Sequence, residues 1–157
     1  NNTRRVIRAL EILEATGKSM ACYQQNWKRQ SPYDLVMIGL DMKREDLYER
    51  INERVDQMIR EGLVEEVREL LKKGVPKTST AMQAIGYKEM VEYLEGKLTL
   101  EEAVEKIKRN TRRFAKRQMT WFRRMKGIRW FEVKKEGNFS DLTENIIHYV
   151  AGIWQMV

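Results

Sequence analysis

Apolar residues recur every three to four positions along most of the chain, a period that predicts a mostly α-helical protein. Between these stretches, residues 18–32 show no such period and are predicted to form a loop. The pattern indicates about five helices: residues 4–15, residues 45–74 with an interruption at Gly62, residues 82–94, residues 100–125 and residues 142–153.

Two short apolar runs have the character of strands. Residues 33–40 contain β-branched side chains and predict a buried strand, although periodicity alone also allows a helix there. Residues 130–133 indicate a second short strand. We expect the first strand to lose its sheet partners in this chain and to leave an exposed apolar edge. The chain also begins at Asn1 rather than Met, so we interpret it as part of a longer protein.

Capping residues support the predicted helix ends. Thr99 and Glu102 form the sequence of a capping box, and Asp141 is a candidate N-cap for the last helix. Gly17 is followed by Lys18 and a serine, like the end of a phosphate-binding loop. That motif requires a glycine five residues earlier and a preceding strand, and neither is present. Gly17 is therefore predicted to be a helix C-cap.

Positive charge is concentrated in one segment of the chain. The 157 residues include 30 Lys and Arg against 23 Asp and Glu, a net charge of +7. Residues 106–129 hold eleven of the basic residues and no acidic ones, on a helix that also carries aromatic side chains. So many like charges repel each other, which predicts an anionic partner such as a nucleic acid or a polyphosphate.

The remaining composition restricts the chemistry. A single cysteine, Cys22, excludes an internal disulfide and a multi-cysteine zinc site, and favours a reducing, cytoplasmic setting. No apolar run approaches the roughly 20 residues that span a bilayer, so no membrane partner is expected. His148 is the sole histidine, and we interpret it as a surface or packed residue rather than a ligand or base.

Arg50 and Arg54 lie one turn apart on the second predicted helix, interleaved with Glu49 and Glu53. One interpretation is a surface ladder of ion pairs. The other is a pair of guanidinium groups that bind a phosphate or diphosphate. The sequence pattern leaves both open.

Gln118 falls on the apolar stripe of the basic helix. A buried amide without hydrogen bonds costs about 1–3 kcal/mol, so we expect Gln118 to bind a base edge or a backbone group.

Four segments, in this order and spacing, resemble the C-terminal half of the tRNA dimethylallyltransferases (tRNA isopentenyltransferases). They are residues 5–11 (RVIRALE), 47–55 (LYERINERV), 83–89 (QAIGYKE) and 111–123 (TRRFAKRQMTWFR). The resemblance extends to about Val133, and residues 134–157 match least.

The resemblance implies a reaction and a fold. Such enzymes transfer a dimethylallyl group from dimethylallyl diphosphate to N6 of the adenosine 3′ of the tRNA anticodon, after the base is flipped out. The implied fold is a P-loop-type α/β core with an inserted helical domain. Residues 1–30 would be the end of the inserted tRNA-binding domain, and residues 31–157 the C-terminal part of the catalytic core. The complete enzyme is expected to be a monomer that uses Mg²⁺.

The resemblance also assigns residues. Arg54 matches the arginine that holds the diphosphate, and Arg50 lies one turn before it. The residues implied to contact the anticodon arm of tRNA are Arg4, Arg5, Arg8, Ile85, Gly86, Tyr87, Lys88, Arg113, Lys116, Arg117, Gln118, Thr120 and Arg123.

The family's phosphate loop, its Mg²⁺ ligand and its general-base aspartate belong to the N-terminal half, which this chain does not contain. The resemblance therefore implies no catalytic residue and no metal ligand here, and we expect the chain alone to be inactive. One alternative is a non-catalytic RNA-binding helical module. Another is a relative that prenylates free adenine nucleotides.

Overall fold

The computed structural model describes residues 3–26 and 33–154 of the chain. Chain contacts divide it into two units, residues 1–36 and 37–157. The predicted domain boundary after residue 30 lies outside the described residues. The described elements are α1 (Thr3–Thr16), α2 (Met20–Asn26), β1 (Met37–Asp41), α3 (Arg44–Arg60), α4 (Leu63–Lys72), α5 (Tyr87–Leu94), α6 (Leu100–Phe122), β2 (Ile128–Glu132) and α7 (Phe139–Trp154).

The first unit consists of α1 and α2. Gly17 ends α1 with φ of +67°, and its N–H donates to the Leu13 carbonyl at 2.8 Å, so the predicted C-cap is confirmed. The prediction of a loop over residues 18–32 is wrong for Met20–Asn26, which form α2. Seven residues make about two turns, too few to produce a recognisable apolar period.

The second unit packs α3, α4, α5 and α6 around one apolar core. The buried apolar residues of that core are Val55, Leu63, Val64, Val67, Met82, Met90, Val91, Ala103 and Ile107. The capping box of α6 forms as predicted: the Thr99 hydroxyl accepts from the Glu102 N–H at 3.2 Å, and the Glu102 carboxylate accepts from the Thr99 N–H at 2.8 Å. This cap fixes the beginning of the helix that carries the basic segment.

The helix predicted over residues 82–94 begins only at Tyr87. Residues 82–86 form turns. Met82 lies in this segment, and its side chain is completely buried in the core. Gly86 has φ of +100° and ψ of −62°. Residues with a side chain rarely adopt this backbone conformation, and it cannot continue a helix. The apolar residues of this segment therefore reach the core from turns, although their spacing resembles that of a helix.

Strands β1 and β2 pair in parallel, with Met37 opposite Ile128 and Asp41 opposite Glu132. The expectation that the first strand lacks any sheet partner is therefore wrong, because the chain supplies β2. The strand is also shorter than the predicted residues 33–40, and β2 begins two residues before the predicted 130–133. Within the described part of the chain, no third strand joins these two.

Helix α7 begins at Phe139, three residues earlier than predicted. The Asn138 side-chain oxygen accepts from the Ser140 N–H at 2.9 Å, and the Asn138 amide donates to Asp141 at 2.9 Å. Asn138 thus has the role predicted for Asp141, which instead places its negative charge in the first turn. No helix of the described residues is long and apolar enough to cross a membrane.

Replacing Gly39 by Ala is expected to destabilise the strand pair. A Cβ atom at this position would lie 2.5 Å from the Trp130 ring and 2.8 Å from the Ile128 side chain. Overpacking of this kind typically costs about 1–3 kcal/mol. Urea denaturation measures the loss. Gly152→Ala in α7 is the control, because its added Cβ has no neighbour within 4 Å beyond the local backbone of its own helix. Equal stability of Gly39→Ala and the wild type would contradict the packing described.

Candidate functional site

A cleft of about 660 Å³ opens between α3, α6 and the turn before α5. We call it the arginine cleft, because its only charged lining residues are two arginines of α3. Its lining residues are Leu47, Arg50, Ile51, Arg54, Val55, Met58, Ile85, Ile107, Thr111 and Phe114. Apart from Arg50, Arg54 and the Thr111 hydroxyl, the wall is apolar.

The two arginines have little competition from acidic side chains. Arg54 Nη1 lies 3.7 Å from Glu61 Oε2 in an exposed pair, which contributes little to stability. Glu49, a candidate partner in a surface ladder, instead pairs with Lys135 at 2.7 Å. Among the described residues, neither arginine forms the predicted ladder with Glu49 and Glu53, and the anion-binding pair stays a prediction.

Contacts on the neighbouring face of α3 hold this helix, which carries Arg50 and Arg54, against α6. Arg112 Nη1 donates to Asn52 Oδ1 at 2.5 Å, and Lys108 Nζ lies 2.7 Å from Asp56 Oδ1. Both contacts join α3 to α6, and the Lys108 side chain is largely buried. These contacts hold α3 against α6. The backbone position of Arg50 is therefore already fixed when a ligand binds.

A second hollow, about 300 Å³ in volume, adjoins the arginine cleft. We call it the basic pocket, and its lining residues are Gln83, Ile85, Lys88, Glu89, Asn110, Arg113 and Arg117. Ile85 lines both the arginine cleft and the basic pocket. An anion bound in one hollow would therefore lie close to a ligand in the other.

The segment before and at the beginning of α5 exposes some side chains and buries others. The side chains of Ile85 and Lys88 are exposed, whereas Gly86 is buried. The Tyr87 hydroxyl donates to the Glu66 carboxylate, and this hydrogen bond raises the pKa of Tyr87. Tyr87 is thus held against α4, whereas the side chains of Ile85 and Lys88 face solvent.

The C-terminal half of α6 lines a further hollow of about 550 Å³ with Lys116, Thr120 and Arg123. Arg123 Nη2 lies 2.8 Å from Asp41 Oδ2, so the end of α6 is paired with the end of β1. The Thr120 hydroxyl donates to the Lys116 carbonyl at 2.8 Å, which leaves its oxygen able to accept. We call Arg113, Lys116, Arg117 and Arg123 together the basic face.

Gln118 does not lie in a buried stripe. Its side chain is exposed at the rim of a groove of about 510 Å³ between α6 and the two strands. The cost expected for a buried, unsatisfied amide therefore does not arise, because water reaches Gln118. On α6, the Gln118 amide lies at the edge of the apolar surface.

In the first unit, Arg5 and Arg8 are exposed on α1. Arg8 Nη1 pairs with Glu11 Oε2 at 3.0 Å, one turn further along the helix. Arg4 falls within α1, and its side chain lies outside the described part of the chain. Both described arginines are therefore at the surface, as a phosphate contact requires.

Other candidate groups are isolated. His148 and Cys22 are exposed, and the Cys22 sulfur lies 3.5 Å from the Ser19 hydroxyl. Among residues 3–26 and 33–154, no group of three His, Cys, Asp or Glu side chains could hold a metal ion. The Mg²⁺ ligands implied by the resemblance belong to the N-terminal half, and their place stays a prediction.

Sequence reasoning missed the role of Glu89, which is 2% exposed. Its carboxylate accepts from the Gly86 N–H and from the Asn110 amide, each at 2.8 Å. The signal was present: Gly86 precedes an acidic residue by three positions, as in a capping box with glycine at the N-cap. The apolar cleft wall formed by Ile51 and Phe114 was also not predicted.

The fold and the site together define a mostly helical protein with two arginines in an otherwise apolar cleft beside a basic helix. The model of the IPP transferase family matches residues 1–125. A tRNA dimethylallyltransferase of Thermoanaerobacter sp. (strain X514) is 56% identical over 155 residues, 97% of this chain and 49% of that protein. That of Carboxydothermus hydrogenoformans is 57% identical over 148 residues, 94% of this chain and 47% of that protein. The chain belongs to the IPP transferase family.

Solved structures agree with this assignment. The full-length tRNA isopentenylpyrophosphate transferase from Bacillus halodurans superposes with a TM-score of 0.74 at 49% identity, over 97% of this chain and 45% of that chain. A eukaryotic dimethylallyltransferase acting on tRNA superposes with a TM-score of 0.70 at 33% identity, over 84% of this chain and 36% of that chain. The predicted fold class, mostly helical here and part of a P-loop-type α/β fold, is confirmed. The chain spans about half the length of the relatives it matches.

Proposed function

We propose that this chain is the C-terminal part of a tRNA dimethylallyltransferase. The complete protein would transfer a dimethylallyl group from dimethylallyl diphosphate to N6 of the adenosine 3′ of the tRNA anticodon. The observation that carries the proposal is the pair Arg50 and Arg54 in an otherwise apolar cleft that shares Ile85 with the basic pocket. The relatives are named as transferases, which does not favour the alternative of a non-catalytic RNA-binding module.

The arginine cleft has the two properties that an allylic diphosphate requires. Guanidinium groups bind diphosphate oxygens through charge-assisted hydrogen bonds, and Arg50 and Arg54 line one side. A branched five-carbon group requires apolar surface, which Ile51, Met58 and Phe114 provide. A cleft of about 660 Å³ has room for such a ligand.

The basic face supports the assignment of tRNA as the second substrate. Arg113 and Arg117 line the basic pocket with Lys88, while Lys116 and Arg123 line the hollow of about 550 Å³ further along α6. Arginine and lysine bind phosphate and fix the orientation of an RNA, whereas amide and hydroxyl groups read base edges. Since the basic pocket and the arginine cleft share a wall, bound tRNA would lie beside the diphosphate.

The reaction itself is a nucleophilic displacement. The adenosine N6 would form a bond to C1 of the dimethylallyl group while the C1–O bond breaks, and the diphosphate would leave with the electron pair. Arg54 and Arg50 would stabilise the negative charge that increases on the departing oxygen. The proton released from N6 requires a base, and we expect the family's aspartate, outside this chain, to accept it. Mg²⁺, when bound to that part of the protein, would neutralise diphosphate charge.

Calorimetry on the complete protein tests the cleft assignment. Dimethylallyl diphosphate is expected to bind roughly tenfold more tightly than inorganic diphosphate, because the cleft removes its five-carbon group from water. Phe114→Ala should reduce that difference. Phe122→Ala is the matched control, since Phe122 lies on the same helix but lines the groove beside the strands. Equal affinity for both anions, or an equal effect of the control, would refute the assignment.

A further inference from the structure

Glu89 is the one buried charged side chain among the described residues, and it joins two parts of the site. One carboxylate oxygen accepts from the Gly86 N–H at 2.8 Å, and the other accepts from Asn110 Nδ2 at 2.8 Å. Gly86 belongs to the turn before α5, and Asn110 lies on α6 one turn before Arg113. The carboxylate therefore connects the turn to the basic helix.

We propose that Glu89 is a positioning residue that holds the Ile85–Gly86 turn in the conformation that binds tRNA. The inference rests on the proposed function, in which the basic pocket receives tRNA. Ile85 is the wall shared by the basic pocket and the arginine cleft. Whatever fixes this turn sets the shape of the tRNA pocket and its alignment with the diphosphate.

The capping box of α5 accounts for the contact of Glu89 with the Gly86 N–H, but it does not require burial, since Glu102 fulfils the same role on α6 while exposed. Burying a carboxylate is costly unless it is paired and hydrogen-bonded, and an apolar side chain would fill the same space more cheaply. Glu89 has no ion-pair partner among the described residues, although Lys88, Arg113 and Arg117 line the same pocket. Its two bonds to fixed donors thus serve the geometry of the pocket.

The Gly86 conformation explains why the turn requires this support. Glycine adopts its φ of +100° without a steric cost but also has many other conformations open to it, so the turn keeps this one only where its surroundings hold it. The Glu89 carboxylate holds the Gly86 N–H directly. Without that acceptor we expect the turn to sample other conformations and Ile85 to leave its place between the two hollows.

The consequence differs between the two substrates. Arg50 and Arg54 are on α3, which is anchored to α6 by Asn52 and Arg112 and does not depend on Glu89. Loss of the Glu89 contacts should therefore weaken tRNA binding and leave the binding of inorganic diphosphate unchanged. A general loss of folding would weaken both.

The test compares Glu89→Met with Glu92→Met in the complete protein. Glu92 is also on α5 and also contacts α6, through Lys106, but it does not touch the turn. Measured quantities are the KM and Kd for tRNA, the Kd for inorganic diphosphate and the Tm. Glu89→Met removes both hydrogen bonds and is expected to raise the tRNA KM and Kd about tenfold, with the diphosphate Kd within about twofold. Glu92→Met should change neither.

Glu89→Gln provides the rescue. The Gln oxygen can accept from the Gly86 N–H, and its amide can donate to a flipped Asn110 side chain, so both contacts are kept. We expect a tRNA KM within about threefold of the wild type for this variant. If Glu89→Met does not fold, Asn110→Ala replaces it and should raise the tRNA KM severalfold at an unchanged diphosphate Kd.

Three results would overturn the positioning role: an unchanged tRNA Kd in Glu89→Met, the same loss in Glu92→Met, or a parallel loss of diphosphate binding. Failure of the proposed function has a different signature. In that case the wild-type protein forms no prenylated tRNA, while its tRNA Kd, compared with that of Glu89→Met, still tests the role of Glu89.

Discussion

Replacing Arg54 by Ala is expected to lower the turnover of the complete protein about a hundredfold, with little change in tRNA affinity. Removal of one oriented charge contact to a developing anion typically costs about that much. Arg54 lines the arginine cleft, and among the described residues its one ion pair is a long, exposed one with Glu61, so its charge is available to a diphosphate. Steady-state prenyl transfer gives turnover, and filter binding gives the tRNA affinity.

Arg60→Ala is the matched control for this prediction. Arg60 is on the same helix, is exposed and does not line the cleft, so its loss changes the net charge equally without touching the ligand. Arg54→Lys should recover part of the turnover, because it keeps the charge and loses the planar fork. Turnover that is unaffected in Arg54→Ala, or equally reduced in Arg60→Ala, would defeat the assignment of the diphosphate site.

The second large effect is expected from neutralising the basic face. The triple replacement Arg113→Gln, Lys116→Gln and Arg117→Gln should weaken tRNA binding on the order of a hundredfold at 0.15 M salt. The slope of log K against log salt should flatten by about one unit for each lost phosphate contact. A salt titration of tRNA binding measures both quantities. Diphosphate binding should change little, because Arg50 and Arg54 remain.

An equal loss of charge elsewhere separates specific contacts from general attraction. Arg68, Lys72 and Lys73 lie at the end of α4, where Arg68 and Lys72 pair with Glu65 and Glu69. Replacing these three by Gln should leave the salt slope nearly unchanged. A slope that stays the same when the basic face is neutralised would mean that this face contacts solvent rather than RNA.

Strong periodic signals predicted much of the fold. The stripe of Val55 and Met58, the break at Gly62 and the capping box at Thr99 gave α3, α4 and α6 nearly as they are. Each signal is local, because a few neighbouring residues suffice to determine it. The basic segment was predicted for the same reason, since charge along one helix can be counted from the sequence.

Short elements and features that depend on distant contacts were not predicted. Helix α2 is too short for a period, and Met82 reaches the core from a turn whose conformation Gly86 determines. The pairing of β1 with β2 joins residues that are far apart in the chain. Such pairings follow from tertiary packing and leave no local pattern.

The same distinction applies to the site. The resemblance assigned Arg54, but the pattern alone left the ladder and the anion-binding pair open. The structure shows no ladder, because Glu49 pairs with Lys135 and Arg54 reaches only Glu61 at 3.7 Å, while the anion-binding pair stays a prediction. Glu89 was overlooked because a glutamate within a helix is usually at the surface, and only the packing of α5 against α6 reveals its burial.

Prenyl transfer by the complete protein tests the central claim most directly. The protein would be incubated with dimethylallyl diphosphate and unmodified tRNA, and the nucleosides would be analysed by mass spectrometry after digestion. We predict N6-dimethylallyl adenosine from the position 3′ of the anticodon, and none when that adenosine is replaced or when free adenine nucleotides are the acceptor. Absence of prenylated adenosine in tRNA, with the diphosphate and tRNA both bound, would contradict the account.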